Sequence, residues 1–153
     1  MADRGELQCK IYPYGSRKDL MFVVVCADYQ GKYLLSRHKK RDTWETQGGH
    51  IEPGETPLEA AKRELYEESG VTDAQLYPVC DYLGYDKDGS AYGTVFCAKV
   101  HSLGSLPESE MQEIGLFDVL PENLTYPHVT PLLMKEAKLA EEGKRRGHSA
   151  GKL

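Results

Sequence analysis

The stretch Thr56-Pro57-Leu58-Glu59 reads as the start of a helix, and Gly70 reads as its stop. A threonine followed three residues later by glutamate satisfies backbone N–H groups that a first turn leaves free. Proline suits the first helical position because its missing N–H would have had no partner there. Glycine adopts the left-handed conformation that ends a helix. The spacing therefore predicts a helix over about 57–69, with Leu58, Ala61 and Leu65 on one apolar stripe. At about 100° per residue, Glu64, Glu67 and Glu68 share an arc of roughly 100° beside that stripe, below Ala60. Like charges at this spacing repel, by about a few tenths of a kcal/mol per pair on an isolated helix. That cost is small, so repulsion alone does not establish a site.

The rest of the chain supplies strands. MFVVVCA (21–27) is β-branched and apolar, and reads as a buried strand. Tyr29-Gln30-Gly31 is turn-like, and KYLLSR (32–37) follows as its hairpin partner. Residues 38–47 read as a polar, basic loop around Trp44. VTDAQLYPVCDYLGY and AYGTVFCAKV, separated by the turn Lys87-Asp88-Gly89, read as two further strands, and EIGLFDVL (113–120) as another. A last helix is expected from Thr130, with Pro131 in its first turn, to about Gly143, followed by a frayed basic tail at about 144–153. Strands with two separated helices imply an α/β domain with helices on the faces of a sheet.

Composition narrows the function classes. At 153 residues the chain is expected to form a single domain burying roughly two-thirds of its unfolded surface. Hydrophobic residues at 40% and charged residues at 28% fit a folded protein rather than a disordered one. A net charge of −5 argues against nucleic acid as a partner, because no overall basic field exists. Cys9, Cys26, Cys80 and Cys97 are scattered without a C-x-x-C pair, which points to reduced thiols in a cytoplasmic protein rather than zinc or disulfides. The polar start MADRGELQCK lacks the apolar stretch of a signal peptide, and the longest apolar run, Leu20 to Ala27, is too short to span a membrane.

The surroundings of the three glutamates point to a cation. Gly48-Gly49 and Gly54 precede the helix and let backbone approach a bound ion closely. Carboxylates with a backbone carbonyl make an oxygen-only donor set, which suits Mg²⁺ or Mn²⁺ rather than zinc. Arg63, beside Glu64, can fix a carboxylate by a charge-assisted hydrogen bond.

With Gly49, Glu55, Arg63-Glu64, Leu65, Glu67-Glu68, Gly70 and Val71 in place, the segment resembles the Nudix box, G-x5-E-x7-R-E-U-x-E-E-x-G-U with U bulky and apolar, every spacing kept. The resemblance implies a Nudix fold, an α/β/α sandwich with a mixed sheet and the box helix on one face. It implies Mg²⁺-dependent hydrolysis of a phosphoanhydride in a nucleoside diphosphate derivative, a nucleoside or deoxynucleoside triphosphate above all. Glu67 and Glu68 match the family's principal metal ligands, and Glu64 a position that serves as ligand or general base. The Gly48 carbonyl matches a frequent backbone ligand, while Arg63 and Glu55 would pair to orient the cluster. A further metal-binding acid often lies outside the box, for which Glu110 or Glu113 is the candidate.

Three other residues are candidates for substrate. SRHKKRD (36–42) could neutralise a polyphosphate, with Arg37 the best placed. Trp44 could stack on a base or cover the core, and His128 precedes the last helix where relatives often contact the base. The expected partner is a small nucleotide or diphosphate; a homodimer is left open.

The chain also departs from the family's common patterns. Many triphosphate-cleaving relatives read F-P-G-G where this chain has Thr46-Gln47-Gly48-Gly49, and Asp86 stands where ADP-ribose hydrolases usually carry proline. Two rival readings stand beside hydrolysis. An isopentenyl diphosphate isomerase would need a cysteine acid near the box, whereas Cys26 and Cys80 are distant in sequence. A non-hydrolytic nucleotide-binding module would usually have lost box carboxylates that are all present here.

Overall fold

A hairpin organises the sheet. Strands β2 (Leu20–Tyr29) and β3 (Lys32–His38) are joined by Gln30 (φ 53) and Gly31 (φ 83). Two successive left-handed residues match the twist of antiparallel strands, and Tyr29 pairs with Lys32. The computed structural model describes residues 4–149. It places β1 (Gln8–Tyr12), β6 (Asp73–Asp86) and β7 (Gly89–Ser102) on one side of β2, in the order β1-β6-β7-β2. β7 runs parallel to β2, with Cys26 opposite Cys97, and the other pairings are antiparallel, so the sheet is mixed. β8 (Met111–Phe117) lies along the outer edge of β3.

Strand alternation gives the sheet two apolar faces. Val23, Val25, Ala27, Leu34, Phe96, Ala98 and Val100 pack with Ala60, Ala61 and Leu65 of α1 (Pro57–Ser69). Cys26, Leu35, Val95 and Cys97 pack with Leu133, Met134 and Ala137 of α2 (Thr130–Ser149). Each strand thus reads two ways, as its period of two requires. The result is the expected α/β/α sandwich, with one helix on each face.

The sheet forks at its centre. The first half of β2 pairs with β5 (Gln47–His50), and the second half pairs with β3. The far half of β3 pairs instead with β4 (Trp44–Glu45), so the two main strands diverge and β4 and β5 line the gap. The expected loop at 38–47 therefore contains β4 and the start of β5. Two very short strands, one rich in glycine, carry no period of their own, and their pairing comes from β3 and β2.

Other expectations shift in smaller ways. Leu58, assigned to the buried stripe, is 39% exposed, while Ala60 and Glu64 are buried. The helix is turned toward its acidic arc. β8 begins two residues earlier than expected, because Met111 still pairs with His38, and it ends at Phe117. β1 has no counterpart in the sequence reading. α2 does not stop near Gly143 but runs to Ser149, since lysine and arginine are good helix formers and cations suit a helix C-terminus. Residues 150–153 of the expected tail lie outside the described residues. Among the described residues no helix is long and apolar enough to cross a membrane.

Candidate active site

The ends of α1 form as the sequence predicts. Thr56 Oγ1 accepts from the N–H of Glu59 at 3.1 Å, and Glu59 Oε1 accepts from the N–H of Thr56 at 2.9 Å. Gly70 (φ 82) donates its N–H to the Tyr66 carbonyl. Between β5 and this cap, the N–H of Glu55 reaches Glu52 O at 3.0 Å, and the N–H of Glu52 reaches Glu55 Oε1 at 2.9 Å. That turn brings the Glu55 carboxylate back over the helix.

Arg63 is the hub of the site. Its Nε and Nη2 hold the two Glu55 oxygens at 2.7 and 3.0 Å, a fork-to-fork pair. Nη1 reaches Glu64 Oε2 at 3.1 Å and Glu67 Oε1 at 3.3 Å, and Nη2 also donates to the His50 carbonyl at 3.0 Å. The Arg63 hydrogen bonds, aided by the Glu52 N–H, hold the Glu55 carboxyl down at about 2. Glu55 in turn raises the Arg63 guanidinium, which stays charged.

Glu64 and Glu68 are in the opposite condition. Burial pushes the Glu64 carboxyl up against the lowering effect of Arg63. Burial pushes Glu68 up to about 9; the Gly48 N–H opposes this, and the charges of Glu64 and Glu45 add to it. Glu68 Oε1 accepts from that Gly48 N–H at 2.9 Å. A Cβ on Gly49 would stand 2.3 Å from Glu64 Oε2, so glycine is what lets the carboxylate lie against β5.

These residues fit a hard divalent cation. Glu64, Glu67 and Glu68 offer only oxygen, Glu64 is buried and Glu68 half-buried, and the one nearby guanidinium, Arg63, is already gripped by Glu55. Among the described residues no three such groups stand ready as a closed cage, because Glu67 is turned onto Arg63.

A cleft of about 990 Å³ opens at the fork and runs past Gly48, Gly49 and Glu68. It is lined by His38, Lys40, Arg41 and Glu110, and by Asp86, Asp88 and Ser90 of the β6–β7 hairpin. Its apolar wall is built from Val24, Tyr82, Tyr126, Val129 and Leu133. A charged group can therefore lie at α1 while a flat apolar one lies toward α2.

A model of the NUDIX domain matches residues 17–127, more than half of the chain. The chain belongs to the Nudix family. This Nudix hydrolase is 32% identical over 117 residues to YtkD of Bacillus subtilis, a protein to which 8-oxo-dGTP diphosphatase activity is ascribed; the match spans 76% of this chain and 73% of the relative. It is 35% identical over 121 residues to an RNA pyrophosphohydrolase of Bartonella bacilliformis, across 74% of this chain and 66% of that one. Its fold is similar to the crystal structure of the Bacillus subtilis pyrophosphohydrolase BsRppH, in a mutant form, with a TM-score of 0.72 and 27% identity over 88% of this chain and 90% of that one. The family and these relatives make the protein a pyrophosphatase of the Nudix class.

Within this Nudix domain the box residues Glu55, Arg63, Glu64, Glu67 and Glu68 come together, with Gly48 beside them. The candidates from outside the box divide. Glu110 lines the cleft, whereas Glu113 is hydrogen-bonded to Arg37 through both Nε and Nη2. Arg37 also donates to the Arg41 carbonyl at 2.9 Å, so its guanidinium serves the β3–β8 edge. Trp44 packs edge-on against Phe117 at 4.9 Å between ring centres, and its ring fills the space beside Gly115. His128 is exposed, and it is the flanking Tyr126, Val129 and Thr130 that line the cleft.

The Nudix site also has buried polar members that sequence reasoning missed. Glu45 is 8% exposed and its Oε1 accepts from Arg41 Nη1 and Thr125 Oγ1, both at 2.9 Å. Gln47 and Ser36 are fully buried. The only sequence signal was alternation: Glu45 and Gln47 are two apart, and so share a face once the segment is known to be a strand.

Proposed function

We propose that this Nudix hydrolase uses Mg²⁺, with Mn²⁺ as a substitute, to hydrolyse a phosphoanhydride bond of a nucleoside diphosphate derivative, a nucleoside or deoxynucleoside triphosphate above all. One observation carries the reading: a buried Glu64 and a half-buried Glu68 lie together beside a cleft, and Arg63 is already occupied by Glu55. Glu64, Glu67, Glu68 and the Gly48 carbonyl would hold the cation. When bound, it supplies compensation for the charge that develops on the phosphate oxygens.

The chain's own residues do the rest. Arg63 keeps Glu64 oriented, and releases Glu67 for the cation. His38, Lys40 and Arg41 of the cleft face the polyphosphate, and the wall of Val24, Tyr82 and Leu133 accepts the base. Glu110, which lines the cleft, is the further acid we favour over Glu113. Cys26 and Cys80 are buried among the residues that pack with α2, not with the α1 group, which gives an isomerase no cysteine acid beside the carboxylates. We take the protein to act as one domain in the cytoplasm, where its free cysteines stay reduced.

A second reading has specific support. The Bartonella bacilliformis relative is an RNA pyrophosphohydrolase, so a triphosphate at an RNA 5′ end is an alternative substrate. The chain's net charge of −5 favours the free nucleotide. The test is release of phosphate or pyrophosphate from canonical and oxidised dNTPs, ADP-ribose, dinucleoside polyphosphates, isopentenyl diphosphate and 5′-triphosphate RNA, with Mg²⁺ and with chelator. Mg²⁺-dependent cleavage of free triphosphates is expected. Cleavage of RNA alone would select the second reading, and no cleavage of any compound would overturn both.

A further inference from the structure

A buried side chain ties the fork in the sheet. Gln47 Nε2 donates to Leu34 O at 3.2 Å and to Ser36 Oγ at 2.9 Å, reaching from β5 across to β3. Ser36 Oγ donates its proton onward to the main-chain carbonyl of Glu68 at 2.7 Å. That carbonyl belongs to the last turn of α1, where helix geometry leaves carbonyls without an intrahelical donor. The next residue after Gln47 is Gly48, whose N–H holds the Glu68 carboxylate. Glu68 is thus gripped twice from one dipeptide, at its side chain directly and at its backbone through Ser36.

The amide is not there for packing alone. Gln47 is 0% exposed, and among the described residues its Oε1 has no hydrogen-bond partner. Its Nε2 instead spans from β5 to two acceptors on β3, Leu34 O and Ser36 Oγ.

We infer that Gln47 is a positioning residue for Glu68, acting through Ser36 to fix that carboxylate for the cation. The inference rests on the proposed role of Glu68 as a cation ligand. Ser36 holds the end of α1 at a set height above β3, and Gln47 orients the Ser36 hydroxyl by occupying one of its lone pairs. Without Gln47 the hydroxyl can turn, and the last turn of α1 is no longer locked to the strand that carries Gly48. The fold survives, because both apolar faces of the sheet are untouched; the precision of Glu68 does not.

The test uses the full chain, with Mn²⁺ as the probe and its dissociation constant read by electron paramagnetic resonance without substrate. Thermal midpoint, kcat and KM are measured beside it. Gln47→Met should stay folded with a modestly lower melting temperature, since Leu34 O and Ser36 Oγ lose a donor. It should bind Mn²⁺ at least 10-fold more weakly and lose kcat with little change in KM. Ser36→Ala should weaken Mn²⁺ binding similarly, and the double variant should be no weaker than either alone, since both act on one chain of bonds. Wild-type Mn²⁺ affinity in a folded Gln47→Met variant would overturn the inference while leaving the metal reading intact. Should Gln47→Met fail to fold, Ser36→Ala decides by the same criterion. Absence of Mn²⁺ binding by the wild-type protein would remove the role of Glu68 itself, and the inference with it.

Discussion

Arg63 grips both oxygens of Glu55, at 2.7 and 3.0 Å, although the two residues lie on opposite sides of the helix cap. The pair closes the loop between β5 and α1 and aims the remaining guanidinium N–H groups at Glu64, Glu67 and the His50 carbonyl. A lysine carries the same charge but cannot make these divergent bonds at once. Arg63→Lys is therefore expected to keep the fold and to lower kcat by about 100-fold, the scale of a small misplacement of catalytic groups. Circular dichroism and steady-state kinetics check this. Retention of most of the activity would mean that charge alone is what Arg63 contributes.

The two adjacent glycines should fail differently. A Cβ on Gly48 would meet the Val23 carbonyl at 2.4 Å, a backbone atom that cannot step aside. Gly48→Ala should cost about 1–3 kcal/mol, as overpacking does, and lower the melting temperature by several degrees. A Cβ on Gly49 meets the carboxylate end of Glu64. Gly49→Ala should move that carboxylate and depress activity at least about 10-fold, with a smaller change in melting temperature. Parallel melting and rate measurements on the two variants separate these effects.

The pH dependence of stability follows from Glu68. Its folded-state carboxyl titrates at about 9, above the roughly 4.3 of an unfolded glutamate. Between those values the folded chain holds more protons than the unfolded one, so metal-free stability should fall as pH rises through that window. A cation must displace the proton, so apparent Mg²⁺ affinity should rise with pH toward about 9. Glu55 has the opposite sign: its carboxyl is held at about 2, so its contribution is present above the unfolded value and lost as pH falls toward 2. Melting curves at graded pH, with and without Mg²⁺, read both limbs. A Glu68→Gln variant should flatten the alkaline limb, and an unchanged slope would assign it to another group.

Glu113 and Glu110 offer a paired comparison. Glu113 is partly exposed and tied to Arg37, an edge contact of the kind worth about 0–1 kcal/mol. Glu113→Gln should therefore leave kcat within about twofold and change stability by less than that amount. Glu110→Gln should reduce the Mg²⁺-dependent rate by about 10-fold if the cleft carboxylate assists the cation. Equal rates in the two variants would leave the site with the box carboxylates alone.

The most legible parts of the molecule were those fixed by local chemistry. The cap at Thr56, the stop at Gly70, the hairpin at Gln30-Gly31 and the box spacing each depend on residues within one or two turns of the chain. The buried strands were visible because β-branched runs such as Val23-Val24-Val25 suit a sheet covered on both faces. Local terms of this kind do not depend on the rest of the fold, so one sequence suffices to read them.

The fork had no such signature. β4 and β5 are strands only because β2 and β3 diverge and leave edges to be paired, and β1 is a strand because β6 offers one. The rotation of α1 that exposes Leu58 and buries Glu64 depends on the missing Cβ of Gly49, a contact between distant elements. Ser36, Glu45 and Gln47 looked like ordinary polar residues until the gap between two strands enclosed them. The sequence by itself determined the helix, its carboxylates and the class of chemistry, because those follow from spacing along one element. Which polar groups are buried against those carboxylates, and so share their electrostatics, was decided by tertiary structure, because burial depends on what the chain brings together from far apart.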